Sequence, residues 1–191
     1  MPSLVRTFVA VEIPREVQDK AGKLIAALKD TPAKVRWVEP QTLHWTLQFL
    51  GDVDLREIPA VCDRVAKAVA PFAPFDVAAH GVGAFPDAER PRTLWIGMQE
   101  GSDEMIALHD AVGAALGQIG FRQEARRFRP HLTIGRVRSS PGGIGELAAR
   151  LAENAGFDGG LTTISEVVVL SSELTRHGPV YELLGHGDLL G

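Results

Sequence analysis

The sequence is poor in the residues that carry several common kinds of chemistry. Cys62 is the only cysteine among 191 residues, so an internal disulfide is excluded. Its neighbours have a spacing that places the thiol on the buried side of a helix, where it packs rather than reacts. No His-Glu-x-x-His sequence, cysteine cluster or Gly-x-x-x-x-Gly-Lys-Ser/Thr loop is present. A zinc site is therefore a minor alternative, and an ATP-driven reaction is disfavoured.

Long apolar segments are also absent. No stretch reaches the roughly 18 uncharged residues that a membrane span requires. No basic stretch is followed by an apolar run of signal-peptide length, so we expect a cytoplasmic protein without membrane association. The net charge of -4 argues against broad, non-specific binding of long nucleic acid, because a basic surface supplies most of that affinity.

One segment departs from this acidic average. Residues 122–138 contain a single acid, Glu124, and six arginines: Arg122, Arg126, Arg127, Arg129, Arg136 and Arg138. A segment of this kind is usually a solvated loop. Here it runs directly into a histidine motif, which favours an anionic ligand instead.

The pattern of apolar residues predicts one α+β domain over residues 1–191. Strands are predicted over 5–13, 35–38, 44–50, 75–82, 93–98, 131–137, 164–170 and 180–184, and helices over 16–29, 56–69, 104–119 and 144–154. The order strand, strand, helix recurs, and no low-complexity linker divides the chain. We therefore predict two similar lobes, each an antiparallel sheet with helices on its outer face.

Two strand-like segments share a His-x-Thr pattern, His44-x-Thr46 and His131-x-Thr133. In a strand, side chains two residues apart point to the same side, so each histidine projects together with its threonine. If an approximate two-fold axis relates the lobes, the two polar faces oppose each other across a groove. A single His-x-Thr is usually incidental. Two copies at the starts of apolar strands, in equivalent positions of the lobes, indicate a shared site.

This set of groups suits the hydrolysis of a cyclic phosphodiester. One group must take a proton from the attacking water and another must give a proton to the leaving ribose oxygen. Histidine, with a pKa near 6.5, can do either at neutral pH. Thr46 and Thr133 can donate hydrogen bonds to phosphate oxygens, and Arg136, five residues after His131, offers a bidentate cation.

Other segments accompany the paired motifs and make the chain resemble a known family over nearly its whole length. They are Arg6-Thr7-Phe8-Val9-Ala10, Trp37-Val38-Glu39-Pro40, Phe49-Leu50-Gly51-Asp52, Gly83-Ala84-Phe85-Pro86, Pro91-Arg92-Thr93-Leu94-Trp95, Arg129-Pro130, Ser172-Glu173-Leu174 and Gly178-Pro179-Val180-Tyr181. With them the sequence resembles the two-histidine (2H) phosphoesterase superfamily. Within that superfamily it is similar to the RNA 2′,3′-cyclic phosphodiesterases, also called 2′-5′ RNA ligases.

The resemblance implies a bilobal, pseudo-symmetric fold with a central cleft and a hydrolase that opens RNA 2′,3′-cyclic phosphates to 2′-phosphates. It also implies the reverse 2′-5′ ligation and no requirement for metal or another cofactor. His44 would be the proton donor to the leaving 3′ oxygen, and His131 the acceptor that activates water. Thr46 and Thr133 would bind phosphate oxygens, and Arg136 would match the arginine that follows the family's second motif.

The expected ligand is an RNA with a 2′,3′-cyclic phosphate terminus or a small cyclic nucleotide. The sequence does not select among transfer-RNA halves, messenger fragments and cyclic nucleotides. We expect a monomer with no obligate protein partner. The alternative from another class is a non-catalytic RNA-end binding module, in which the arginines hold a terminal phosphate and the histidines serve only as donors.

Overall fold

A computed structural model describes residues 3–122, 127–138, 142–176 and 178–191 of the chain. The helices are α1 Arg15–Lys29, α2 Ile58–Val69, α3 Ser102–Gly117 and α4 Ile144–Glu153, and a 3-10 helix spans Pro40–Thr42. The strands are β1 Leu4–Glu12, β2 Val35–Trp37, β3 His44–Asp54, β4 Phe75–Phe85, β5 Thr93–Met98, β6 Leu132–Val137, β7 Asp158–Ile164, β8 Glu166–Thr175 and β9 Gly178–Asp188.

The described strands form one antiparallel sheet in the order β7-β4-β5-β6-β3-β1-β8-β9, with β2 also paired to β6. This order is symmetric about the junction between β6 and β3. Each half of the sheet contains four strands, and the innermost strand of each half starts at or next to a histidine motif. The sheet curls into a half-barrel, and the predicted α+β class of antiparallel sheet with helices is confirmed.

Helical periodicity explains how the helices attach to the sheet. The buried side chains of α1 recur at helical spacing and are the ones that the sequence pattern predicts: Val17, Ala21, Leu24, Ile25 and Leu28. Helix α2 begins two residues later than predicted, with Pro59 in its first turn, where proline's missing N–H costs no helical hydrogen bond. These apolar faces pack against the side of the sheet that carries Trp45.

The helices cross between the two halves of the sheet. Helix α1 follows β1, yet it contacts α4 and β7 in the opposite half, where α4 contacts β4. Helix α3 follows β5 and makes the reciprocal crossing to α2 and β3, while α2 packs against β8 and β9. Each half of the sheet is thus covered by a helix whose preceding strand belongs to the other half. The chain thus passes back and forth between the two halves of the sheet, and these crossings hold the halves together where β3 meets β6.

Strands β7 and β3 differ from the sequence prediction. Strand β7 was not predicted, because its glycines Gly159 and Gly160 weaken the apolar alternation that marks a strand. Strand β3 was predicted to end before Gly51 but continues to Asp54. Gly51 has a φ of 73°, a conformation that glycine adopts easily, and the register against β1 skips Leu50 there. The glycine therefore permits a bulge rather than ending the strand.

Candidate active site

Strands β3 and β6 meet at a single residue pair, Trp45 and Leu132. Both side chains are buried in the core. Strand β5 pairs with β6 along one edge, so β2 and β3 must share the other edge, β3 at Leu132 and β2 over residues 135–137. The histidine motifs are therefore located where the two halves of the sheet begin to separate.

The pairing places the four predicted polar side chains on one face of the sheet. Extending the register by one residue on each side puts His44 opposite Thr133 and Thr46 opposite His131. Residues directly opposite each other have Cβ atoms about 5 Å apart. His44 and His131 are diagonal neighbours in this register, and such residues are about 7 to 8 Å apart. The motifs are thus adjacent on one face, whereas the sequence predicted two faces opposed across a groove. Their strands pair directly, so the two polar faces merge into one.

Both imidazoles are held by the same kind of backbone contact. Nδ1 of His44 donates to the carbonyl oxygen of Thr42 at 2.8 Å, and Nδ1 of His131 donates to that of Arg129 at 2.7 Å. A carbonyl oxygen can only accept, so Nδ1 carries the hydrogen in each ring. Nε2 is therefore the atom of each ring that is suited to take or give a proton.

His44 lies against an aromatic wall. The ring of Phe8 is 4.8 Å away between centroids, and the ring of Tyr181 meets it edge-on at 5.3 Å. Burial lowers the pKa of His44 below its ordinary value of 6.5, and the hydrogen bond to the Thr42 carbonyl opposes this effect in part. Phe8 and Tyr181 belong to segments that carry the family resemblance, but the sequence predicts no role for them at the site.

His131 has a comparable neighbour in the other half of the sheet. Its ring meets Phe85 edge-on at 5.1 Å, and Phe85 in turn lies 5.2 Å from the ring of Trp95. The loop before His131 is fixed by Phe128, whose ring stacks on the buried His109 of α3 at 4.0 Å. Each histidine is thus set in its own aromatic surroundings.

A cavity flanks the junction on each side. His44, Tyr181 and Gln41 line a cavity of about 580 Å³ in the half that contains β8 and β9. His131 and Trp95 line a second cavity, of about 400 Å³, in the half that contains β4 and β5. One of the two imidazoles lines each cavity. The arrangement gives a small anion at the junction room for an organic group on either side.

Arg136 reaches the histidine face because β6 contains a bulge. Successive residues of β5 pair with Thr133 and with Gly135, so Ile134 is an extra residue on β6. In a regular strand Arg136, three residues after Thr133, would point to the core; the extra residue reverses this alternation. Ile134 is buried and Arg136 is exposed, as the bulge requires.

Tyr181 interacts with both Arg136 and His44. Burial raises the pKa of this phenol, and the positive charges of Arg136 and Arg36 oppose that rise. Both guanidiniums therefore act on a ring that contacts His44. The sequence singled out Arg136 but not Arg36, which pairs with it across β2 and β6.

At the position five residues after the histidine, the first motif is followed by Phe49 and the second by Arg136. Strand β3 has its own bulge, since Ala10 pairs with Thr46 and Val9 with Gln48. Phe49, five residues after His44, is consequently 54% exposed. The approximate symmetry of the motifs is broken at this position, with a cation on one side and an apolar ring on the other.

Other reactive groups lie away from the junction. Within the described ranges, Glu166, His186 and Asp188 form a group that could hold a metal ion, with ligand atoms within 4.8 Å of one another. All three are exposed, and they line neither cavity. Cys62 is half-buried on α2, with its Sγ 3.7 Å from the Leu184 carbonyl oxygen, and burial raises its pKa. A raised pKa keeps the thiol protonated and unreactive.

Comparison with known proteins identifies the family. Residues 13–176 match the model of the 2′-5′ RNA ligase superfamily. The chain belongs to this family. It is 34% identical over 177 residues to a protein of Methanothermobacter thermautotrophicus named RNA 2′,3′-cyclic phosphodiesterase, covering 93% of this chain and 95% of that protein. A protein of Thermotoga maritima with the same name is 32% identical over 180 residues, covering 94% and 93%.

Solved structures agree with this membership of the 2′-5′ RNA ligase superfamily at the level of the fold. A protein of Thermus thermophilus superposes with a TM-score of 0.81 at 24% identity, over 97% of this chain and 98% of that one. E. coli LigT, crystallised with 3′-AMP, gives a TM-score of 0.78 at 23% identity, over 99% and 100%. The fold and family predicted from the resemblance are confirmed.

Some predictions concern parts of the chain that these findings do not reach. Glu124 and Arg126, which belong to the arginine-rich segment, lie outside the described residues. Over the ranges that the structure describes, none of the helices is long and apolar enough to cross a membrane. The roles assigned to the histidines, threonines and Arg136 stay predictions.

Proposed function

We propose that this member of the 2′-5′ RNA ligase superfamily hydrolyses RNA 2′,3′-cyclic phosphate ends to 2′-phosphate ends by acid–base catalysis between two imidazoles. The observation that carries the proposal is the pairing at the junction, which gathers both His-x-Thr motifs on one face with Nδ1 of each ring bound to a carbonyl. The names of the relatives support the same substrate class.

In this mechanism the phosphate lies between the two rings. Nε2 of His131 takes a proton from the attacking water, and Nε2 of His44 gives a proton to the leaving 3′ oxygen. The hydroxyls of Thr46 and Thr133 donate to the non-bridging oxygens, and the guanidinium of Arg136 offsets the charge that accumulates on them. The same groups run the reverse 2′-5′ ligation when a 5′-hydroxyl replaces water.

The proposal includes the wider setting of the reaction. The substrate is an RNA end or a small cyclic nucleotide, the chain acts as one domain over residues 1–191, and it requires neither a metal nor a cofactor. It works as a monomer in the cytoplasm without an obligate protein partner.

Turnover of an RNA with a 2′,3′-cyclic phosphate in the presence of EDTA tests the function. The parent protein should open the ring, and His44→Ala and His131→Ala should each abolish this activity. His186→Ala is the matched control, because it removes an exposed histidine of the possible metal group. Ring opening retained by either motif variant would contradict the mechanism, and loss of activity in EDTA or in His186→Ala would indicate metal catalysis. No turnover by the parent would favour an RNA-end binding module.

A further inference from the structure

Two arginines lie directly opposite each other beside the candidate active site. Arg36 of β2 pairs with Arg136 of β6, and both side chains are exposed. Neither forms an ion pair with a carboxylate of the described ranges. Like charges placed opposite each other on neighbouring strands destabilise a sheet. A bound anion between or above the two guanidiniums would remove that repulsion.

The pair is continuous with the histidine face. Residues paired in register share a face, so Arg36 lies on the side to which the β6 bulge directs Arg136. Both charges act on the phenol of Tyr181, whose ring lies 5.3 Å from that of His44. Arg36 is thus next to the site but not part of either His-x-Thr motif.

The number of positive charges exceeds what one cyclic phosphate needs. A 2′,3′-cyclic phosphate carries one negative charge, and Arg136 together with a protonated His44 already supplies two positive charges. An RNA end carries a second phosphate, the phosphodiester on the 5′ side of its terminal nucleoside. A cyclic mononucleotide has no such group. Two guanidiniums side by side match two consecutive phosphates, each of which an arginine can bind in bidentate fashion.

We propose that Arg36 binds the phosphodiester on the 5′ side of the terminal nucleotide and thereby makes the enzyme prefer RNA ends to cyclic mononucleotides. This inference rests on the function proposed above. Arg136 holds the phosphate that reacts, and Arg36 holds the next one along the chain. Arg36 is a specificity-determining residue in this arrangement, because its ligand is remote from the bonds that break.

Comparison of two substrates tests the assignment. We would measure kcat/KM for an RNA oligonucleotide with a 2′,3′-cyclic phosphate and for a 2′,3′-cyclic mononucleotide. Arg36→Gln should lower the value for the oligonucleotide about tenfold, the loss expected for a hydrogen bond to a charged group. The value for the mononucleotide should change by less than about twofold, since that ligand lacks the partner of Arg36. Arg138→Gln, an exposed arginine just past β6, is the matched control.

An uncharged backbone linkage tests the proposed contact between Arg36 and the phosphodiester directly. An oligonucleotide with a methylphosphonate at the 5′ side of its terminal nucleotide should lose about the same factor with the parent protein, because the charge that Arg36 binds is gone. Arg36→Gln should then cause no further loss. Against the ordinary oligonucleotide, the same variant should reduce the dependence of log kcat/KM on log salt by about 0.7, the value for one contact to a single strand.

The outcomes separate this inference from the proposed function. If the parent turns over neither substrate, the function itself fails. If it turns over both and Arg36→Gln lowers both values equally, Arg36 acts on the reacting phosphate or on the fold, and the specificity assignment is wrong. An additive effect of Arg36→Gln and the methylphosphonate would also overturn it. Thermal unfolding of Arg36→Gln, with a midpoint no lower than that of the parent expected, supports the assignment by excluding loss of structure.

Discussion

Trp45 and Leu132 form the residue pair through which the two histidine-bearing strands touch, and their side chains are buried on the side of the sheet opposite the imidazoles. This buried contact sets the register of the polar face. A slip of one strand by one residue would turn its histidine and threonine into the core. The position of the candidate catalytic groups therefore depends on apolar packing that touches no substrate.

The first prediction concerns the pH dependence of turnover. His44 is the proposed proton donor, so it must be protonated, and burial lowers its pKa below 6.5. The protonated form is lost as the pH rises through that lowered pKa. One limb of the bell-shaped kcat/KM profile should therefore lie below pH 6.5, because this parameter reports the pKa values of the free enzyme. A profile with both limbs above pH 6.5 would show that His44 is not one of the two proton-transfer groups.

An NMR titration of His44 in a His131→Asn variant checks the assignment without the coupling between two nearby imidazoles. The ring should titrate below 6.5 in the absence of substrate. A value at or above 6.5 would contradict the effect of burial and shift the assignment of the limb to another group.

The second prediction concerns the wall beside His44. Tyr181→Ala removes the ring that meets His44 edge-on at 5.3 Å and admits water. The pKa of His44 should then rise toward 6.5, because desolvation is the largest cause of its shift. Tyr181→Phe keeps the ring and should leave the pKa close to that of the parent. If the two variants gave the same His44 titration by NMR, burial by Tyr181 would not be the cause of the shift.

The sequence predicts local features of this fold better than long-range ones. The buried face of α1 follows from helical spacing alone, and the strand pattern around Thr46 and Thr133 indicates which side chains share a face. Pairing of Trp45 with Leu132 joins residues far apart in the chain and is not encoded in either segment. The sequence therefore predicted opposed faces where the structure has adjacent ones.

Bulges explain the remaining differences at the site. Arg136 was predicted from its distance along the chain, although regular alternation would have turned it away from the histidines. The bulge at Ile134 turns Arg136 toward the histidines, and this bulge depends on pairing with β5. Arg36 was missed because its significance lies in its register with Arg136, which only the sheet reveals. Phe49 belongs to a segment that carries the resemblance, and the sequence does not predict its exposure.

The third prediction concerns the two hydroxyls. Thr46→Val and Thr133→Val keep the side-chain shape but remove a donor to the phosphate. Each should lower kcat/KM by about 10- to 100-fold, as expected for one hydrogen bond to a charged group of about 1.5 to 3 kcal/mol. Thr162→Val on β7, which lies at the edge of the sheet, is the matched control and should leave the rate unchanged. Full activity in both motif variants would remove the threonines from the mechanism.

The fourth prediction concerns Gly135, at the bulge that directs Arg136 to the histidine face. A Cβ at this position would lie 2.8 Å from Cγ1 of Val35 and 3.1 Å from Cε3 of Trp37, so these two side chains of β2 must shift in Gly135→Ala. We expect β2 to move away from β6 with them. Overpacking of this kind costs about 1 to 3 kcal/mol in the free energy of unfolding. Because β2 carries Arg36, the displacement should lower kcat/KM for the oligonucleotide more than for the cyclic mononucleotide.

Gly145→Ala is the matched control for Gly135→Ala, both in urea unfolding and in the kcat/KM values for the two substrates. No atom lies within 4 Å of a Cβ placed there, and the residue is helical, so the substitution should stabilise the protein by up to about 1 kcal/mol and leave the ratio of the two kcat/KM values unchanged. If Gly135→Ala were as stable as the parent, the close approach of β2 to β6 would not be required. If it were destabilised but kept the parent's substrate ratio, the position of β2 would not control the arginine pair.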